Sequence, residues 1–139
     1  MINSKKELRF YLMADMMMNR GCFNYSIKSR IKNLIVADPI MKYLRYLRKM
    51  EYAMTKEYGF VFFVRKIKYK RKLISLGLKL GFSISCNVFG YGLVIPHYGT
   101  IVVGEGNRIG NYCVLHTSTC ITAGKNELVM DYICRRERK

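Results

Sequence analysis

The chain has 139 residues, half of them apolar, and a formal net charge of +16 from 25 Lys and Arg against 9 Asp and Glu. That length suits one domain, or one domain with a helical appendage, and the apolar content excludes an intrinsically disordered chain. The basic excess points to an anionic partner (nucleic acid, membrane surface, phosphate or an acidic coenzyme) or to a solvated basic face.

Lys5, Lys6, Glu7 and Arg9 interrupt the N-terminus, and no apolar stretch with a small-residue cleavage site follows, so no signal peptide is expected. The apolar run Phe60–Val64 is far shorter than the roughly 20 residues that span a bilayer. A soluble, cytoplasmic protein is the expectation. Ser4 followed by Glu7 forms a capping-box signature, and a helix is predicted through Leu8, Leu12, Met13 and Met16, closed near Gly21. The cluster Met16, Met17 and Met18 reads as adaptable core. A weaker amphipathic stretch follows around Ile27, Ile31, Leu34 and Ile35.

Asp38-Pro39 is a helix start, with Asp as the cap and Pro at the first helical position. Ile40, Leu44, Leu47, Met50 and Met54 recur at helical spacing, which places Lys42, Arg45, Arg48 and Lys49 on other faces, and Gly59 is the expected stop. Another helix is predicted from Phe60 to Ser75, broken in the Gly77 and Gly81 region. Helical periodicity is lost beyond it, so residues 1–77 form a basic helical region and the internal boundary falls near residue 78. Cys22, Cys86, Cys113, Cys120 and Cys134 are irregularly spaced and, with His97 and His116, show no metal-ligand spacing; reduced thiols and no metal are expected. Cys113 and Cys120 read as small core residues.

A repeat of period six marks residues 78–124. Phe89, Ile95 and Ile101 lie six apart, and after a phase shift so do Val103, Ile109, Leu115 and Ile121. Asn107, Cys113 and Thr119 place a modest side chain two positions before the later apolar set. One aliphatic residue per short flat strand, with small residues and left-handed backbone at tight corners, predicts a triangular solenoid in which each coil stacks on the last. The expected fold is α+β, a helical N-terminal region followed by a short left-handed parallel β-helix of hexapeptide repeats.

Gly92-Leu93-Val94-Ile95-Pro96-His97-Tyr98-Gly99-Thr100-Ile101-Val102-Val103-Gly104 resembles a motif of the serine acetyltransferases and related hexapeptide-repeat acyltransferases. The resemblance is close over residues 78–124 and extends to the helical region in layout only. It implies transfer of acetyl from acetyl-CoA to a hydroxyl acceptor, commonly by a homotrimer with sites between neighbouring β-helices. It places His97 as the catalytic base; imidazole is suited to taking the proton of a hydroxyl as it attacks a thioester. His116, Thr117, Ala123 and Gly124 are the candidate acetyl-CoA contacts.

The chain departs from the family in two places. An aspartate precedes the catalytic histidine in serine acetyltransferases, and Pro96 stands there; a second, imidazole-orienting aspartate aligns near Phe82. Serine and a sugar hydroxyl, as in polysaccharide biosynthesis, therefore both stand as acceptors. The repeat ends near Gly124, and residues 125–139 form an atypical charged tail, read as a truncation, a shifted reading frame or a native cap. About three coils predict weak acetyl transfer by the chain alone. A different class of function is a binding module, with the basic residues from Lys28 to Lys72 and Tyr43, Tyr46, Tyr52, Tyr58 and Tyr69 gripping nucleic acid or anionic lipid. No specific nucleic-acid motif supports it, and membrane contact is not expected.

Overall fold

The computed structural model describes residues 2–21, 38–55 and 59–122. Three helices precede a small three-stranded parallel sheet, an α+β arrangement: α1 (Lys5–Arg20), α2 (Pro39–Met54), α3 (Phe60–Leu80), β1 (Phe82–Ile84), β2 (Ile101–Val103) and β3 (Thr119–Ile121). The amphipathic stretch expected around Ile27 to Ile35 and the tail from residue 125 lie outside the described residues.

Local chemistry sets the helix ends. The Ser4 hydroxyl accepts from the Glu7 N–H at 3.1 Å, while the Glu7 carboxylate reaches back to the Asn3 N–H at 2.7 Å. Gly21 closes α1 in the left-handed region, its N–H donating to the Met17 carbonyl. A carboxylate oxygen of Asp38 accepts from both the Ile40 and Met41 N–H groups, and Pro39 follows at a position where its missing donor costs nothing. Helix α2 ends at Met54 rather than Gly59, which instead begins α3.

Helix α3 continues past Ser75 to Leu80 and ends at Gly81. Gly77 does not break it. A Cβ there would meet the Phe82 carbonyl oxygen at 2.5 Å, so glycine is needed where the helix runs against the strand that follows it. Gly77→Ala is therefore expected to destabilise the fold by about 1–3 kcal/mol, outweighing alanine's roughly 1 kcal/mol helix advantage. A thermal melt showing an unchanged or raised midpoint would refute this account of Gly77.

The sheet pairs in parallel, Phe82 with Ile101 and Ile101 with Thr119. Two further parallel bridges, Phe89 with Ile109 and Val94 with Val114, tie the segments between the strands. Phe89, Ile95, Ile101, Val103 and Leu115 are buried, and Ile109 and Ile121 are half-buried. Left-handed backbone occurs at Asn87, Gly92, Gly99, Gly106, Tyr112 and Ser118. The later three immediately precede Asn107, Cys113 and Thr119. A tyrosine in this conformation costs about 1–2 kcal/mol; the Tyr112 ring packs edge-on against Tyr91 at 5.2 Å, which offsets part of that cost.

One apolar core joins the helices to these segments. Met16, Leu44, Leu47 and Leu80 pack with Phe82, Ile84, Phe89, Leu93, Ile95 and Ile101. Met17 and Met18 stay exposed, so of the methionine cluster only Met16 enters the core. Cys120, expected to be internal, is exposed because the short strand β3 turns its side chain away from the core, while Cys113 is half-buried.

Candidate functional site

His97 lies in the exposed turn of Pro96, His97 and Tyr98 that ends at Gly99, and His116 and Thr117 lie in the exposed turn that ends at Ser118. The two turns stack. Leu115 N–H donates to the Val94 carbonyl at 2.9 Å before them, and Ser118 N–H to the Thr100 carbonyl at 2.7 Å after them. His97 and His116 both fall within the segments that those bonds flank. Gly99 makes the stacking possible: its φ of 150° lies in glycine territory, and a Cβ would meet the Thr117 methyl at 2.8 Å. The Thr119 hydroxyl donates to the His116 carbonyl at 2.7 Å and fixes the second turn. Of the sequence-selected residues, His97, His116 and Thr117 thus lie on two adjacent turns; Ala123 and Gly124 lie outside the described residues.

Phe82, aligned with the family's orienting aspartate, is buried with its ring against Tyr43 at 5.2 Å. It belongs to the core and makes no polar contact with an imidazole. The His97 side chain is exposed. No group of three or more His, Cys, Asp or Glu suited to a metal ion occurs among the described residues.

What holds this part of the chain against the helices is a buried ionic cluster that helical spacing did not reveal. Arg48, assigned from its spacing to a polar face, is fully buried. Its guanidinium bonds the Asp15 carboxylate of α1 at 2.8 Å and the Glu51 carboxylate of α2 at 3.0 Å. It also donates to the Phe89 carbonyl at 3.0 Å and the Gly90 carbonyl at 2.6 Å. Glu51 accepts from the Asn87 N–H, and Asp15 from the Leu93 N–H. Asn19 completes the grip, accepting from the Ile95 N–H and donating to the Leu93 carbonyl. The Tyr11 ring covers the guanidinium at 5.0 Å. Four helical side chains therefore clamp the backbone of residues 87–95, two residues short of His97. Backbone polar groups of Asn87, Phe89, Gly90, Leu93 and Ile95 are satisfied in this way.

Burial opposes the Arg48 charge, but the Glu51 and Asp15 carboxylates outweigh it and raise its pKa. Burial pushes the Glu51 carboxyl up despite the Arg48 guanidinium beside it. Burial, with the Glu51 charge adding to it, pushes the Cys86 thiol up to about 11. Cys86 is therefore expected to stay protonated and resist alkylation at pH 8, while exposed Cys120 reacts well before it. Mass-spectrometric mapping after brief iodoacetamide treatment reads the order; early labelling of Cys86 would contradict its burial beside the cluster.

Of the tyrosines interleaved with basic residues, Tyr43 is not available to a binding face. Tyr43 is 1% exposed, and burial raises its phenol pKa. Tyr46 and Tyr69 pack on each other at 6.1 Å, and Tyr58 and the basic residues Lys28, Arg30 and Lys32 lie outside the described residues. No helix among the described residues is long and apolar enough to cross a membrane. Compared with known proteins, the chain matches no family model, no curated protein and no solved structure.

Proposed function

We propose that residues 78–124 are the first coils of a left-handed β-helix and that the chain is an O-acetyltransferase, using His97 as general base to transfer acetyl from acetyl-CoA to a hydroxyl. Three features support the solenoid. The left-handed residues recur at intervals near six: Asn87, Gly92, Gly99, Gly106, Tyr112 and Ser118. The pairings Phe82 with Ile101, Phe89 with Ile109 and Val94 with Val114 each join residues about one three-sided coil apart. Phe89, Ile95, Ile101, Val103 and Leu115 of the period-six set are buried, and half-buried Ile109 and Ile121 pack against the same core.

The observation that carries the catalytic reading is the motif histidine on an exposed turn, stacked over the turn of His116 and Thr117. Imidazole there can reach an acceptor hydroxyl from solvent, accept its proton as oxygen attacks the thioester carbonyl, and return that proton to the departing coenzyme A thiolate. His116 and Thr117 are the residues placed to contact the acyl donor. In the resembled family a neighbouring subunit closes such an edge into a cleft, and a homotrimer is the assembly this reading requires. A sugar hydroxyl fits better than serine, because Pro96 and buried Phe82 replace the two carboxylates that serine-specific members use.

The test is release of free thiol from acetyl-CoA by purified protein, with serine and with hexose or acetylhexosamine acceptors in parallel. Slow, acceptor-dependent release is expected, greater with a sugar. Equal release with and without acceptors, or none at high protein concentration, would overturn the reading.

A further inference from the structure

We propose that the cleft between α2 and α3 is a binding site for a compact, phosphate-dense anion such as a polyphosphate group. The proposal is independent of acetyl transfer, since neither His97 nor His116 lines this cleft. Its volume is about 410 Å³, within the range of small-molecule sites. Lys42, Arg45 and Lys49 line it from α2, and Lys72 and Lys79 from α3, with Tyr46 between them. The spacings are helical on both sides: Lys42, Arg45 and Lys49 share one face of α2, and Lys72 and Lys79 share one face of α3.

Charge is the decisive feature. No carboxylate among the described residues lines the cleft. The three ion pairs among the described residues use Arg20 and Arg48, and none uses a cleft cation. The cations therefore repel one another across a concave space with no counter-ion among the described residues. Arg45 and Lys49 are half-buried, so water screens them less than it screens fully exposed lysines. An anion carrying several charges within a few ångströms would relieve that repulsion from both helices at once and accept charge-assisted hydrogen bonds from ammonium and guanidinium groups. A monovalent anion neutralises only part of the set. A volume of about 410 Å³ favours a compact anion over an extended nucleic-acid strand. Clustered phosphates can come from a soluble polyphosphate or from a phosphorylated lipid headgroup.

The experiment titrates the full chain with inorganic tripolyphosphate by calorimetry at low salt, and separately floats it with vesicles containing a phosphorylated inositol lipid. The variant Lys42→Gln/Lys49→Gln/Lys72→Gln is compared with Lys66→Gln/Lys68→Gln/Lys70→Gln, which removes the same charge from α3 outside the cleft. Circular dichroism checks that both fold. The cleft variant is expected to bind tripolyphosphate at least about tenfold more weakly, the control within about threefold of the unmodified chain, and orthophosphate to bind at least about tenfold more weakly than tripolyphosphate. Cleft-dependent binding to vesicles but not tripolyphosphate would assign the lipid headgroup as the source. Equal losses in both variants, or no saturable binding to either probe, would overturn the proposal.

Discussion

Replacing His97 by alanine is expected to lower acceptor-dependent thiol release from acetyl-CoA by about 10²–10⁴-fold, the usual contribution of a positioned general base. The side chain is exposed, so the substitution should change stability by no more than about 0.5 kcal/mol. That separation makes the test decisive: loss of turnover with an unchanged melting midpoint indicates chemistry, whereas retained turnover removes His97 from the mechanism. His116→Ala should act differently. If His116 contacts the acyl donor, KM for acetyl-CoA rises while kcat changes little. A collapse of kcat in His116→Ala with His97→Ala unaffected would reverse the two assignments.

Arg48→Ala is expected to have the largest effect on stability, about 3–5 kcal/mol, because it strands two buried carboxylates without their counter-charge. It also removes the donors to the Phe89 and Gly90 carbonyls, leaving acceptors buried without partners. Urea denaturation read by circular dichroism gives the difference, and Lys66→Ala on the surface of α3 serves as a control. The pH dependence has a definite sign. The Glu51 carboxyl is raised in the folded state by burial. A raised carboxyl contributes most to stability below the ordinary carboxylate range, and that contribution is lost as pH rises through the raised value. Without Arg48 the carboxyl moves further in the same direction. The deficit of Arg48→Ala should therefore shrink toward acid pH and grow toward neutrality. A deficit below about 1 kcal/mol at neutral pH would mean the cluster does not join the helices to the segments that follow.

The two substitutions also divide what could be read from residue order. His97 stood out because its neighbours in the chain, from Gly92 to Gly104, carry a recognisable pattern. Arg48 carried no such signal. Its spacing from Lys42, Arg45 and Lys49 on a basic helix suggested a solvated face, and its carboxylate partner Asp15 lies 33 positions away. The exposure of Cys120 and the continuation of α3 through Gly77 were hidden in the same way, since each depends on which neighbour the backbone meets. The helix stop expected at Gly59 failed for a local reason: glycine is also accepted as an N-cap, and Gly59 caps the helix that follows it.

Sequence alone determined features set by short-range chemistry: the Ser4 and Asp38 caps, the glycine end of α1, and the six-residue recurrence of aliphatic side chains. These follow from short-range hydrogen bonding and from which side of a strand each residue faces. Only the tertiary structure decided that Arg48, Asp15, Glu51 and Asn19 would hold residues 87–95, and that five cations from two helices would converge on one cleft. Burial and charge proximity are properties of elements brought together across long stretches of chain, and a guanidinium that faces water in one packing is the centre of the interface in another.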